Sequence, residues 1–252
     1  MATNFSDILN IRKGDVVTLV GAGGKTSILK ILANEIQKNI LITTTTHIQE
    51  LDDLTKYKII NENYRQISEN IVKIRKDSNC KIFITSKIVK KLKNNSYKLK
   101  GIKKSWVNKL HHKFKDEIII VEGDGAAQKS IKVPADYEPV VPQSCNKLIT
   151  VLGMKNFKKE INNIYCHRVD EIKKLTSSAT IDRELIINII ISKKSYGYYR
   201  NKVDDFIVVL NQLESCKQKI ALDIGQRLVE LGIKKVILAD TNKNNPIIKI
   251  IN

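Results

Sequence analysis

The sequence predicts an α/β fold, three layers deep, with a mostly parallel sheet covered by helices on both faces. Apolar runs of strand length recur along the whole chain, and stretches with helical spacing alternate with them. Several runs, such as Ile118-Ile119-Ile120-Val121 and Phe206-Ile207-Val208-Val209-Leu210, are continuously apolar rather than alternating, the pattern of strands buried on both faces. The first run also leads into a glycine-rich turn that opens a helix.

In chain order, Val16-Val17-Thr18-Leu19-Val20 gives a strand over 15–20, and Ile28, Leu29, Ile31, Leu32 and Ala33 give a helix over 25–38. Strands follow at 39–43 and 81–85. A lysine-rich excursion around 87–115 contains a helix at 103–114. The strand at 117–122 is followed by a loop over 130–145 that holds Pro134, Pro139 and Pro142. A strand at 147–152 comes next, then a helix opening at Cys166-His167-Arg168-Val169-Asp170 and running to Leu175. A helix at 182–192, a strand at 205–210, a helix at 214–231 and a strand at 235–239 complete the alternation. In the helix at 214–231, Cys216, Ile220, Ile224, Leu228 and Leu231 fall on one face, and Gly232 is placed to stop it. The whole of 1–252 reads as a single domain.

Composition narrows the classes. At 252 residues and 28.7 kDa the chain can bury one substantial core. No apolar stretch approaches the roughly 20 residues that span a bilayer, and the amino-terminal segment lacks a secretory pattern, so the expectation is a cytoplasmic protein without membrane contact. The formal charge of +18 raises nucleic acid as a partner. The excess is nearly all lysine in a chain rich in isoleucine and asparagine, and the densest block has Trp106 but no repeated aromatic interleaving. A solvated lysine surface is therefore the expectation, not a nucleic-acid interface. Cys80, Cys145, Cys166 and Cys216 are far apart, which points to reduced thiols and no structural zinc.

Gly21-Ala22-Gly23-Gly24-Lys25-Thr26-Ser27 carries the chemistry. Small residues let backbone N–H groups converge on oxygen atoms, and the start of the next helix adds partial positive charge. Lys25 can reach terminal phosphates and the Thr26 hydroxyl can ligand magnesium. The spacing is the short G-x-x-G-K-T, because Leu19 stands where the longer loop has its first glycine. The fold expectation sharpens to a P-loop NTPase-like domain.

Parallel sheets carry their chemistry at the carboxyl ends of strands. The strand at 39–43 ends in Thr43-Thr44-Thr45-Thr46-His47, placing hydroxyls and an imidazole there. The strand at 117–122 ends in Glu122-Gly123-Asp124-Gly125-Ala126, where Glu122 or Asp124 completes a magnesium site or acts as a base. Lys129, Lys132, Tyr137 and Glu138 follow, and His167-Arg168 adds another grip for an anion. The strand at 205–210 ends in Asn211-Gln212-Leu213-Glu214, in the position where GTPases read guanine with N-K-x-D. The glutamine and glutamate weaken that match. A literal Asn201-Lys202-Val203-Asp204 precedes the strand and is set aside as a decoy.

Taken together, these elements resemble the YqeC family. The resemblance rests on the phosphate loop, the Thr43–His47 block, Glu122-Gly-Asp-Gly125 continuing through residues 131–142, Val151-Leu-Gly153, His167-Arg168 and Val208-Val-Leu-Asn-Gln212, in that order. It implies an accessory protein, or selenium cofactor biosynthesis protein, for molybdenum hydroxylases that carry selenium. The expected function is Mg2+-dependent binding of ATP or GTP, with hydrolysis or phosphoryl transfer, in selenium or molybdenum cofactor assembly. In that reading Gly21, Ala22, Gly23, Gly24, Lys25, Thr26, Ser27 and Asn211 hold the nucleotide, and Thr26 and Glu122 the metal. Lys25, Glu122 and Asp124 are catalytic. Thr46, His47, Lys132, His167 and Arg168 face an anionic small molecule or cofactor precursor, with an apo molybdenum hydroxylase as client. The alternatives are a non-catalytic, nucleotide-gated maturation chaperone and a basic nucleic-acid-binding ATPase.

Overall fold

The computed structural model describes residues 4–51, 54–75, 79–93 and 95–252. Its strands are β1 (Val16–Gly21), β2 (Ile40–Thr44), β3 (His47–Gln49), β4 (Tyr57–Ile60), β5 (Lys81–Thr85), β6 (Lys87–Lys91), β7 (Tyr97–Lys100), β8 (Ile118–Glu122), β9 (Ile131–Lys132), β10 (Lys147–Gly153), β11 (Cys166–His167), β12 (Asp205–Asn211), β13 (Lys235–Ala239) and β14 (Ile247–Ile251). Its helices are α1 (Phe5–Ile8), α2 (Lys25–Glu35), α3 (Tyr64–Ile74), α4 (Lys104–Lys113), α5 (Val169–Lys173), α6 (Arg183–Ile191) and α7 (Gln218–Glu230).

Nine strands form the main sheet in the order β14-β13-β12-β10-β1-β8-β2-β5-β4, all parallel except β14, which runs antiparallel on β13. The period-2 alternation of each strand divides its apolar side chains between two cores. Val16 and Val20 of β1, Ile119 and Val121 of β8, and Leu148 and Leu152 of β10 pack on one face with residues of α3, α4, α6 and α7. Val17 and Leu19, Ile118 and Ile120, and Ile149 and Val151 pack on the other with α1 and α2. Helices therefore cover both faces, as the continuous apolar runs require.

The chain places β2 and β5 on one side of β1 and, after β8, fills the other side with β10, β12 and β13. The order reverses beside β1, which opens a crevice at the carboxyl ends of the central strands.

The helix ends have identifiable causes. Asp182 caps α6 by accepting from the Leu185 N–H at 2.8 Å. Gly232 ends α7 at φ 85°, with Gly232 N–H donating to Val229 O (2.7 Å) and Ile233 N–H to Leu228 O (3.0 Å).

Four sequence expectations change. The lysine-rich excursion is structured: β6 and β7 join β3 in a separate antiparallel sheet, in the order β3-β7-β6. The proline-containing stretch includes β9, which pairs in parallel with β11. Cys166 and His167 therefore lie in a strand, and the helix there is shorter than expected. The buried face of α7 is Ala221, Ile224, Gly225 and Leu228, whereas Cys216 is exposed in a one-turn 3-10 helix before it. All four cysteines are free, and no helix among the described residues is long and apolar enough to cross a membrane.

Candidate functional site

The turn between β1 and α2 borders a cavity of about 930 Å3, lined on that side by Gly23, Gly24, Lys25, Thr26 and Ser27. Gly24 is the N-cap of α2, at φ 127°. It offers no side chain to cap the helix, so the first-turn N–H groups have no acceptor within the helix. A Cβ at Gly24 would lie 2.1 Å from the Asn211 Nδ2 atom. Glycine is thus required by backbone angle and by space.

The amides at the start of the turn are already used. Gly21 N–H donates to both oxygens of Asp124, at 3.1 and 3.2 Å, and Ala22 N–H donates to Val151 O at 2.8 Å. The open cradle is therefore 23–27, narrower than the 21–27 expected from the motif.

Thr26 Oγ1 donates to Glu122 Oε2 at 2.9 Å. Glu122 lines the cavity at the end of β8, hydrogen-bonded into register beside Thr44 of β2. Burial pushes the Glu122 carboxyl up, while the Lys25 ammonium and the Thr26 hydroxyl pull it partly back.

Asp124 sits differently. Its side chain is 0 % exposed, and it forms ion pairs with Lys25 (3.2 Å) and Lys132 (3.1 Å) besides accepting from Tyr196 OH at 2.8 Å. Burial alone would raise its carboxyl, but the two ammonium groups and the tyrosine hold it below the ordinary range. The sequence expectation put Asp124 among the catalytic residues. Its oxygens do not line the cavity, because Gly21 N–H, Lys25, Lys132 and Tyr196 take them in the buried layer beneath.

Lys25 is 5 % exposed, with Nζ also donating to Gly21 O at 2.5 Å. Lys132, expected on the substrate side, is wholly buried. It bridges Asp124, Glu138 Oε2 (2.9 Å) and Gly125 O (2.7 Å). Three donors and three acceptors leave it nothing for a ligand.

Asn211, expected to touch nucleotide, also faces inward. Its Nδ2 donates to Gly23 O (2.8 Å) and Thr241 Oγ1 (2.9 Å), and its Oδ1 accepts from Thr241 N–H (3.0 Å). Both amide hydrogens are spent on tying the loop to the end of β13. Glu214 of the same segment is exposed and paired with Lys217.

Thr46, His47, His167 and Arg168 do line the cavity. Burial and the nearby Lys98 and Lys100 lower the His47 imidazole, and burial with Lys132 and Arg168 lowers that of His167. Arg168, at φ 64° and ψ 59°, is fixed by Nε donation to Glu138 Oε2 (3.0 Å) and Nη2 donation to Tyr137 OH (3.0 Å). Thr45 turns away to donate to Val140 O.

Several residues of the site carry no signal in the motifs. Lys98, Gln49 and Gln128 line the cavity, as does Gln212 of the strand-end motif, and Tyr196 and Thr241 support it from beneath. Thr241 could have been found, since it follows a strand end. Asn201 and Asp204 lie in a separate cavity of about 300 Å3 with Arg200 and Gly232, away from the glycine-rich turn.

No solved structure matches the chain. The "Uncharacterized protein YqeC" of Escherichia coli (strain K12) is similar at 25 % identity over 247 residues, covering 92 % of this chain and 90 % of that protein. The family model described as "YqeC protein" matches residues 17–170, more than half of the sequence, and on that match the chain belongs to the YqeC family.

Proposed function

We propose that this chain is a Mg2+-dependent P-loop nucleotide-binding protein that hydrolyses ATP or GTP or transfers the terminal phosphoryl group. One observation carries the reading: an uncapped helix start, the Lys25 ammonium and the Thr26–Glu122 pair meet at one cavity. Uncapped N–H groups at a helix start favour phosphate. The N–H groups of residues 23–27 and the Lys25 ammonium would hold the phosphate tail. Thr26 and Glu122 would hold the magnesium, which needs only one or two protein ligands beside phosphate oxygens and water. When bound, the ion neutralises charge that develops on the phosphoryl oxygens. Thr46, His47, His167 and Arg168 supply hydroxyl, neutral imidazole and guanidinium groups for an anionic partner or acceptor in the same cavity.

The resemblance to the family extends the reading to selenium or molybdenum cofactor assembly, with a cofactor precursor as the small molecule and an apo molybdenum hydroxylase as client. A slower, switch-like use of the nucleotide is favoured by one feature. The carboxylates beside Glu122 are engaged, Asp124 by two lysines and Glu138 by Lys132 and Arg168, so neither is free as a base. Multiple-turnover phosphate release without a client would exclude that switch.

The test is thermal denaturation with ATP and GTP, each with and without Mg2+. A ligand at 100 times its Kd stabilises the native state by about 2.7 kcal/mol. Lys25→Ala should abolish the shift. No stabilisation of the native chain by either nucleotide, with or without metal, would overturn the proposal.

A further inference from the structure

Asp124 is a heavily engaged side chain that the proposed chemistry does not use. Four groups converge on its two oxygens: the Gly21 N–H, the ammonium groups of Lys25 and Lys132, and the Tyr196 hydroxyl. It is fully buried and does not line the cavity, while Lys25 and Glu122, on either side of it, do. Lys25 cannot donate fully to a phosphate while its Nζ is held between Gly21 O and Asp124 Oδ1. Beyond Asp124 the chain of charges continues through Lys132 and Glu138 to Arg168, which lines the same cavity. The two ends of this chain line one cavity, and its middle is fully buried.

We propose that Asp124 is a positioning residue, neither metal ligand nor proton acceptor: it keeps Lys25 in reserve, and a triphosphate tail takes Lys25 by replacing the carboxylate as its partner. This rests on the nucleotide-binding reading and adds an exchange that the loop motif does not contain. The Gly21 N–H bonds keep the start of the turn fixed during the exchange, because they do not involve Lys25. Lys132 and Tyr196 keep Asp124 from becoming an unpartnered buried charge once Lys25 has left.

The test compares Asp124→Asn with Glu122→Gln. The amide is isosteric: with its oxygen in the Oδ2 place it still accepts from Gly21 N–H and Tyr196 OH, and its NH2 group, a donor, faces Lys25 in the Oδ1 place and cannot hold that ammonium. In the ligand-free protein, Lys25 acetylation followed by mass spectrometry should be at least severalfold faster in Asp124→Asn and should change less in Glu122→Gln, whose carboxylate attracts the ammonium through space while Asp124 pairs with it directly. ATP affinity in EDTA should tighten on the order of tenfold in Asp124→Asn, since one unit of negative charge beside the phosphate-binding ammonium is gone. The additional affinity conferred by Mg2+ should survive in Asp124→Asn and be lost in Glu122→Gln. Tyr196→Phe keeps the charge but removes a donor, so Asp124 should hold Lys25 harder and ATP should bind two- to threefold more weakly. That opposite sign keeps the test decisive if the asparagine variant folds poorly. Loss of the Mg2+ contribution in Asp124→Asn, with Lys25 labelling and metal-free affinity unchanged, would make Asp124 a metal ligand and overturn the proposal. If the native protein binds no nucleotide, the phosphate-loop reading fails, and the Lys25 labelling rate still reports whether Asp124 holds the ammonium.

Discussion

Asn211→Ala separates support of the phosphate loop from contact with the nucleotide. The native side chain makes three hydrogen bonds, to Gly23 O, Thr241 Oγ1 and Thr241 N–H, and it is fully buried. Alanine removes all of them and leaves a carbonyl and an N–H without their partners. At about 1 kcal/mol for each bond, the loss is about 3 kcal/mol. For a chain of this size that lowers Tm by about 6–12 °C, at roughly 2–4 °C per kcal/mol. The bond to Gly23 O is the one that fixes the cradle, and the loop must then be ordered by the ligand itself. Its share, about 1.4 kcal/mol at most, corresponds to about tenfold weaker nucleotide binding. Thermal melts and ATP titration by calorimetry measure the two effects independently. A Tm loss with unchanged affinity would refute the claim that Asn211 preorganises the loop. A thousandfold loss of affinity would refute the inward geometry, because only a direct ligand contact carries that much.

Other outcomes follow from the same geometry. Gly24→Ala should reduce ATP binding by at least tenfold in calorimetry, since a Cβ at φ 127° meets the Asn211 amide at 2.1 Å. ATP and GTP should bind within about threefold of each other, each about 0.6 kcal/mol apart at most, if Asn211 and Glu214 read no base; a hundredfold preference in competition assays would refute that. His47 and His167 bind protons less readily in the fold than at the unfolded value of about 6.5. Their contribution is present above about pH 6.5 and lost as the pH falls below it, because the unfolded chain then takes up more protons. Urea melts at stepped pH should show that decline, and it should be smaller in a His47→Asn, His167→Asn double variant. Burial pushes the Cys145 and Cys166 thiols up to about 11, so under native conditions near pH 8 exposed Cys216 should be the thiol that alkylates first.

What the sequence made legible is what local pattern determines. The strands expected at 81–85 and 235–239 coincide with β5 and β13, and the other five expected sheet strands shift by one residue at one or both ends. Buried parallel strands must be apolar on both faces, which leaves an uninterrupted run. The edges lack that signal: β4 reads Tyr-Lys-Ile-Ile, β6 is exposed along its length, and β14 is only partly covered. Helix α3 is legible in principle, since Tyr64, Ile67, Ile71 and Ile74 recur at helical spacing and pack toward one core, although few of its residues are fully buried. At the site, strand-end reasoning found Lys25, Thr26, Glu122, Thr46, His47, His167 and Arg168, all of which line the cavity. It could not tell which polar groups were spent internally. Asp124, Lys132 and Asn211 are of the right type in the right place, yet Asp124 is engaged by Tyr196, 72 residues away, and Asn211 by Gly23, 188 residues away, while Lys132 is spent on Asp124, Gly125 and Glu138, near in sequence but brought together only by the fold. A motif fixes where a side chain starts, and only the tertiary neighbours fix what it has left to offer.

If the cavity takes a nucleotide, as proposed, the charges around it favour the metal complex over the free nucleotide. Lys25, Lys98, Lys129, Lys132 and Arg168 face or underlie it, against the carboxylates of Glu122, Asp124 and Glu138. The small excess of positive charge is less than the charge of a bare triphosphate tail, and two of the cations are already shared with Asp124. On the proposed reading, a divalent ion held by Thr26 and Glu122 would make up that difference. Without it, Glu122 would repel the tail, and more of the attraction would have to come from the long-range field of a chain carrying +18. Mg2+-free binding should accordingly be weaker and should fall more steeply with salt, since solvent-exposed charges are screened over about 8–10 Å near physiological ionic strength. Equal salt slopes with and without Mg2+ would mean that the ion does not sit between Glu122 and the phosphates.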